Sequence, residues 1–152
     1  MSEMEASTPP VFFMIGCQRS GSNWLRTMLG EREDLIAPHP PHIMREFLPL
    51  LDKFGSLEDM ENLKLLVDHI CQYVETNQVT WLDKHDRPIQ FNRKLILKNV
   101  AVTIEALRGS KRFEKGLSHT EVMDLIDGKY YVLAIFDAIM TKCAQDNGCK
   151  LW

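Results

Sequence analysis

The spacing of apolar residues along the chain changes near its amino terminus. Residues 11–15, VFFMI, are strand-forming residues whose run ends at Gly16. After a small polar loop, apolar residues return on one face of a 3.6-residue period: Trp24, Leu25, Met28 and Leu29. The pattern predicts a strand, a loop and a helix over Ser22–Leu29, with Gly30 ending the helix. Arg26 is off the apolar face and is expected to be a solvated charge, although its closeness to the loop leaves a role as a ligand open.

Helical periodicity recurs in the middle of the chain. One helix is expected to begin near Pro41 and another to span residues 56–75, where Ser56 and Asp59 resemble a capping box. Residues 76–94 are polar and rich in turn-forming types, which predicts a connector or a lid, with His85 exposed to solvent. A further helix is predicted over residues 95–107.

The last third of the chain predicts two more helices. Ser118 and Glu121 form a capping box for a short helix ending near residue 126. A turn at residues 127–128 and a helix over residues 130–145 follow. One side of that helix is expected to be marked by Leu133, Phe136, Asp137, Met140 and Ala144. Gly148 stops it, and residues 149–152 begin an extended run.

These elements predict an α/β fold. The two convincing strands, residues 11–16 and the run from residue 149, suit a P-loop-like parallel sheet flanked by helices. Such sheets are normally buried and have more strands. The sheet is therefore expected to be incomplete in this helix-rich chain, with residues 1–10 forming a flexible tail.

Length, charge and cysteine spacing exclude several classes of function. A length of 152 residues suits one domain, and a net charge of −3 gives no basic face for nucleic acid. The four cysteines have no zinc-ligand spacing, and no metal is expected. The first apolar run is too short for a signal segment or a membrane span, which predicts a cytoplasmic protein without a membrane partner.

The loop after the first strand has the features of an anion site. Gly16 and Gly21 have the spacing of a nucleoside-triphosphate loop, but Ser22 and Asn23 stand where that loop needs Lys and then Ser or Thr. Arg19 is the cation within the loop. Uncovered N–H groups and the start of the following helix would attract a phosphate without a metal.

The residues GCQRSGSNWL at 16–25 resemble the 5′-phosphosulfate loop of sulfotransferases that use 3′-phosphoadenosine 5′-phosphosulfate (PAPS). The resemblance implies that Arg19 acts catalytically at the bridging oxygen and that Trp24 lies near adenine. It implies a cofactor-binding loop that consists of Gly16, Gln18, Arg19, Ser20, Gly21, Ser22, Asn23 and Trp24. Ser22 replaces the usual Thr and keeps its hydroxyl, whereas Asn23 replaces Thr or Ser and loses it.

A proline-rich segment, residues 37–42 with the sequence APHPPH, holds two histidines in extended backbone. Sulfuryl transfer needs a base for the acceptor proton, and imidazole exchanges protons near neutral pH. In some bacterial sulfotransferases a Pro-Pro-Glu segment aligns its Glu with His42. The resemblance therefore ranks His42 first as the catalytic base, His39 second and Glu46 third.

The end of the chain also resembles part of this family. Residues 147–152 match the approach to a Gly-x-Lys-Thr-Pro-like segment, beyond which the family places its 3′-phosphate site. Residues 11–152 are therefore expected to be the N-terminal part of a sulfotransferase domain. The chain is expected either to form a homo-oligomer or to need the missing C-terminal half.

The sequence thus predicts a sulfotransferase that moves a sulfuryl group from PAPS to a hydroxyl or amine. The acceptor is a small molecule, a carbohydrate or a peptide. The alternative is a non-catalytic remnant or anion-binding module that needs a partner chain. A small-molecule kinase ranks last because Ser22 replaces the required Lys, and magnesium dependence would distinguish it.

Overall fold

The computed structural model describes residues 21–39, 42–109 and 128–152. Within these ranges the chain forms five α-helices, and a 3₁₀-helix, Leu48–Phe54, directly follows the second of them. The helices are α1 (Ser22–Leu29), α2 (Ile43–Phe47), α3 (Met60–Glu75), α4 (Arg93–Arg108) and α5 (Gly128–Asn147). The predicted tail, the strand over residues 11–16 and the helix over residues 118–126 lie outside the described residues.

Helix α5 is the centre of the core. Its buried residues face several directions: Tyr131, Val132, Ala134, Ile135, Ala138, Ile139, Met140, Cys143 and Ala144. A helix that is apolar around most of its circumference is surrounded by other elements, and α2, α3, α4 and the 3₁₀-helix all pack against it. The predicted single apolar side was therefore wrong in part, and Leu133 is exposed.

The start of α5 also differs from the prediction. Gly128, expected in a turn, is the first residue of the helix. A Cβ atom at Gly128 would lie 2.8 Å from Leu51 Cδ1. The absence of a side chain therefore allows the first turn of α5 to approach the 3₁₀-helix closely.

Helices α3 and α4 begin at residues whose side chains cap them. Asp59 Oδ1 accepts a hydrogen bond of 2.9 Å from the N–H of Glu61, so α3 begins at Met60 and not at Ser56 as predicted. Asn92 Oδ1 accepts a 3.2 Å hydrogen bond from the N–H of Leu95, and α4 begins at Arg93. An Asp or Asn side chain at this position satisfies N–H groups that have no partner within the helix.

The described residues contain isolated β-bridges and no longer strand. Leu35 pairs in parallel with Leu151, and the N–H of Ile36 donates to the Leu151 carbonyl at 3.1 Å. Gly148, with φ of +69°, ends α5 as predicted. The run from residue 149 is therefore paired at Leu151, but its partner Leu35 was not predicted to be in a strand.

No helix in the described ranges is sufficiently long and apolar to cross a membrane.

Candidate active site

The start of α1 has the features of an anion site. Gly21 precedes it with φ of +81°, no side chain caps it, and its first turn contains no acidic residue. The N–H groups of this turn and the positive end of the helix dipole thus face no competing carboxylate of α1. No atom of the described residues lies within 4 Å of the position that a Cβ atom on Gly21 would take. The geometry suits a bound phosphate.

The structure places half of the predicted loop. Gly21, Ser22, Asn23 and Trp24 lie together at the start of α1, and three of them are exposed, with Ser22 half-buried. The remaining predicted loop residues lie outside the described residues: Gly16, Gln18, Arg19 and Ser20. Trp24 is 70% exposed, so its indole is open to a flat ring such as adenine.

Arg26 connects α1 to the segment that contains the histidines. Its Nε donates to Asn23 Oδ1 at 2.9 Å, and its Nη1 donates to the backbone carbonyl of Ala37 at 2.7 Å. The side chain is half-buried, so the expectation of a solvated charge was wrong. Arg26 thereby holds Asn23, a predicted phosphate contact, in a fixed relation to residues 37–39.

The histidine segment is fixed at both ends. The indole Nε1 of Trp81 donates a hydrogen bond of 2.9 Å to the backbone carbonyl of His39. His42 precedes α2 with φ of +58°, and its carbonyl accepts from the N–H of Glu46 at 3.1 Å. The helix predicted to begin near Pro41 begins at Ile43. Left-handed backbone is unfavourable for a non-glycine residue and is enriched at functional sites.

The two histidines lie in different cavities. His39 lines a cavity of 650 Å³ together with Arg26 of α1. His42 lines a second cavity of 350 Å³, here named the slot, together with residues of α2 and α5. Trp81 and Pro38 line both cavities. The structure therefore does not bring the two imidazoles into one site.

Glu46, the third candidate base, is engaged elsewhere. Its Oε1 accepts from Arg45 Nε at 2.8 Å and from Arg45 Nη2 at 2.7 Å. Both contacts involve the same carboxylate oxygen of Glu46. The ranking of Glu46 below both histidines stays a prediction.

A short turn holds Trp81 in place. The N–H of Ile89 donates to the Trp81 carbonyl at 2.9 Å, and Leu82 pairs with Pro88. Within the turn, Asp83 accepts from the N–H of His85 at 2.8 Å and from Arg87 Nη2 at 2.7 Å. The hydrogen bond from Arg87, helped by backbone donors, lowers the pKa of Asp83 to about 2. His85 itself is exposed, as predicted.

Burial shifts the pKa of thiol and carboxyl groups in the described residues. Burial raises the pKa of the Cys71 and Cys143 thiols to about 12, so both stay protonated. Burial also raises the pKa of Asp137 on α5. No group of three His, Cys, Asp or Glu side chains in the described ranges is placed to hold a metal ion.

The sequence interpretation missed two residues that organise this region, Arg26 and Trp81. Trp81 is only 5% exposed although it stands in a polar, turn-rich stretch. A lone large aromatic residue in such a stretch was an available signal, because an indole is seldom placed in a connector without a packing role. Arg26 gave no comparable signal, since its partners depend on how the chain folds back.

Comparison with known proteins gives one match. A model of the sulfotransferase family matches residues 10–127, which is more than half of the chain. Searches of curated proteins and of solved structures gave no match. The matched range includes the loop at residues 16–24, the start of α1, both histidines and Trp81. The chain therefore belongs to the sulfotransferase family.

Proposed function

We propose that this protein binds PAPS and transfers its sulfuryl group to a hydroxyl or amine acceptor. The observation that carries the proposal is the family match over residues 10–127, which includes the loop and the uncapped start of α1. Gly21 with positive φ, open space around it and a first turn without acidic residues all suit a bound 5′-phosphate.

The donor supplies an activated sulfuryl group whose transfer leaves 3′-phosphoadenosine 5′-phosphate (PAP). Arg19 would stabilise the negative charge that develops on the bridging oxygen. The N–H groups at the start of α1 would hold the phosphate oxygens. Preorganised donors of this kind account for much of the rate enhancement in many enzymes. The family relationship also favours a P-loop-like parallel sheet, to which the Leu35–Leu151 pairing would belong.

His42 is the proposed base. It takes the proton from the acceptor while the acceptor oxygen or nitrogen forms a bond to sulfur and the bond from sulfur to the bridging oxygen breaks. Two observations favour His42 over His39: its exposed position beside the slot and its fixed left-handed backbone. His39 is the second candidate because it shares the larger cavity with Arg26.

The position of the histidines, just after the segment that pairs with Leu151, supports this assignment. Residues 37–42 directly follow Leu35 and Ile36, which pair in parallel with Leu151. Ligands of parallel α/β sheets bind outside the carboxyl ends of the strands. The histidines and a loop that follows residues 11–15 would therefore meet at the same edge of such a sheet.

The test is isothermal titration of the purified chain with PAP. Arg19→Ala should weaken binding by about tenfold or more, since it removes a charge-assisted contact. Lys64→Ala, which removes one positive charge from the exposed side of α3, should leave the affinity unchanged. No binding by a folded wild-type chain, or equal binding by Arg19→Ala, would contradict the proposal. Magnesium-dependent phosphoryl transfer would indicate a kinase instead.

A second candidate is an anion-binding module without transferase activity. It is favoured by the exposed apolar face of α1, where Trp24, Leu25 and Met28 are all exposed and no residue of the helix is buried. Such a face suits a protein that works with a partner chain. PAP binding without sulfuryl transfer to any acceptor would favour this candidate.

A further inference from the structure

The slot is the cavity beside His42, and its lining is almost entirely apolar. Its volume is 350 Å³, and it lies between the start of α2, the side chain of Trp81 and the middle of α5. The residues that line it include His42, Ile43, Met44, Trp81, Phe136 and Met140. Cavities of this kind, apolar with few polar groups, are typical of small-molecule sites.

The slot presents little net charge to a ligand. Arg45 also lines it, but its guanidinium is paired with Glu46 at 2.7 Å and its side chain is 68% exposed. Among the described residues, those lining the slot include no carboxylate, amide or hydroxyl side chain. A ligand with many hydroxyls, or with a charge, would lose its hydration there and find few hydrogen-bonding partners.

Among the described residues that line the slot, His42 is the one whose side chain can serve as a general base. A ligand hydroxyl close to His42 would therefore be the group that reacts. Met44 and Met140 lie on the same lining, and flexible thioether side chains adapt to flat or irregular apolar shapes. Trp81 and Phe136 add two aromatic faces against which a ring could pack.

We infer that the acceptor is an uncharged aromatic alcohol that fills the slot with its hydroxyl at His42. The inference rests on the proposed sulfuryl transfer for its chemical meaning. On transfer, the acceptor oxygen forms a bond to sulfur, its proton goes to the His42 imidazole, and the bridging oxygen leaves with PAP. Carbohydrate and peptide acceptors are disfavoured by the lack of polar partners in the slot.

The test is direct binding to the full chain without nucleotide. The probe is 2-naphthol, and the comparison ligands are 2-naphthoate, which carries a charge, and cellobiose, which carries many hydroxyls. The chain should bind 2-naphthol at least about tenfold more tightly than either comparison ligand. Met44→Trp, which adds bulk to the slot, should weaken 2-naphthol binding by a similar factor. Met60→Trp makes the same change at an exposed residue of α3 and should have no effect.

A second measurement uses the wild-type chain, so it does not depend on a variant folding. Diethylpyrocarbonate modifies exposed imidazoles, and His42, His69 and His85 are all exposed. Bound 2-naphthol should slow modification of His42 and leave the other two unchanged. Equal or tighter binding of cellobiose or 2-naphthoate, no binding of 2-naphthol, or unaltered His42 modification would overturn the inference.

The outcomes separate the two proposals. A chain that binds PAP but not 2-naphthol would retain the proposed function and lose the inferred acceptor class. A chain that binds 2-naphthol at the slot but not PAP would retain the slot as an aromatic-alcohol site and lose the proposed sulfuryl transfer.

Discussion

The indole N–H of Trp81 donates a hydrogen bond of 2.9 Å to the backbone carbonyl of His39, which precedes it by 42 residues. This contact attaches the turn at residues 81–89 to the segment that contains both histidines. Trp81 also lines both cavities. One side chain therefore lies between the cavity of His39 and the slot and holds the backbone at His39.

Trp81→Phe should destabilise the fold while keeping an aromatic ring. The variant leaves the part-buried carbonyl of His39 without its donor, which costs about 1–3 kcal/mol. Urea denaturation would measure the change in the free energy of unfolding. Trp24→Phe is the control, since Trp24 is exposed on α1, and its effect should stay within about 0.5 kcal/mol. Equal losses in both variants would contradict the role assigned to the hydrogen bond.

His42→Asn should separate chemistry from stability. Asn tolerates the left-handed backbone that His42 adopts, with φ of +58°, so the urea midpoint should change little. The imidazole is lost, and removal of a general base lowers the rate by about 10²–10⁴-fold. The measurement is the rate of sulfuryl transfer from PAPS at saturating acceptor. His85→Asn, at an exposed histidine, should retain the wild-type rate. A full rate in His42→Asn would move the role of base to His39.

Gly21→Ala and Gly148→Ala form a matched pair. Both glycines have positive φ, +81° and +69°, and no described residue lies within 4 Å of the added methyl group at either one. Each variant should cost about 1–2 kcal/mol of stability, because left-handed backbone is unfavourable once a Cβ atom is present. Gly21→Ala alone should weaken PAP binding, since it disturbs the start of α1. Titration with PAP would check this, and equal weakening by Gly148→Ala would contradict it.

Local patterns predicted α1 with its observed bounds, because the apolar period and Gly30 are both encoded within nine residues. They misplaced the start of α3, where two capping residues compete and Asp59, not Ser56, accepts the hydrogen bond. They also misjudged α5. A helix surrounded by neighbours has no single apolar side to detect, and its buried face depends on which elements pack against it.

The candidate site shows the same limit. The loop and the two histidines could be proposed from sequence because spacing and residue type are local signals. Arg26 and Trp81 each donate a side-chain hydrogen bond to a backbone carbonyl distant in sequence, at Ala37 and His39 respectively. Every residue carries a backbone carbonyl, so the sequence does not indicate which carbonyl will accept a given hydrogen bond. The separation of the two histidines into different cavities follows from these contacts and was therefore not predictable.

Thiol labelling tests the burial of the cysteines. Cys71 and Cys143 are fully buried, and burial raises the pKa of each thiol to about 12. Since thiolate is the reactive form, neither should react with iodoacetamide in the native chain at about pH 8. Both should react in urea. Peptide mass spectrometry would locate the label, and rapid native labelling at residue 71 or 143 would contradict the packing of α3 and α5.

Glu75 and Arg93 join the end of α3 to the start of α4. Arg93 donates to both carboxylate oxygens of Glu75, and the N–H of Phe91 adds a hydrogen bond of 2.8 Å. The Glu75 side chain is only 12% exposed. Glu75→Gln removes the charge that pairs with Arg93 and should cost about 1–3 kcal/mol. Glu61→Gln, at an exposed residue of the same helix, should cost less than about 0.5 kcal/mol.

The same ion pair predicts a dependence on pH. Burial disfavours the charged carboxylate of Glu75, but the hydrogen bonds from Arg93 and Phe91 outweigh it and lower the pKa below its ordinary value of 4.5. The unfolded chain therefore takes up this proton at higher pH than the folded chain does. The stabilisation is fully present above that ordinary value and is lost as the pH falls through the lowered pKa. Urea denaturation of the wild type and of Glu75→Gln at about pH 7 and about pH 3 would test this. The difference in unfolding free energy between the two proteins should be smaller at about pH 3. A constant difference would mean that Glu75 contributes through its shape and not through its charge.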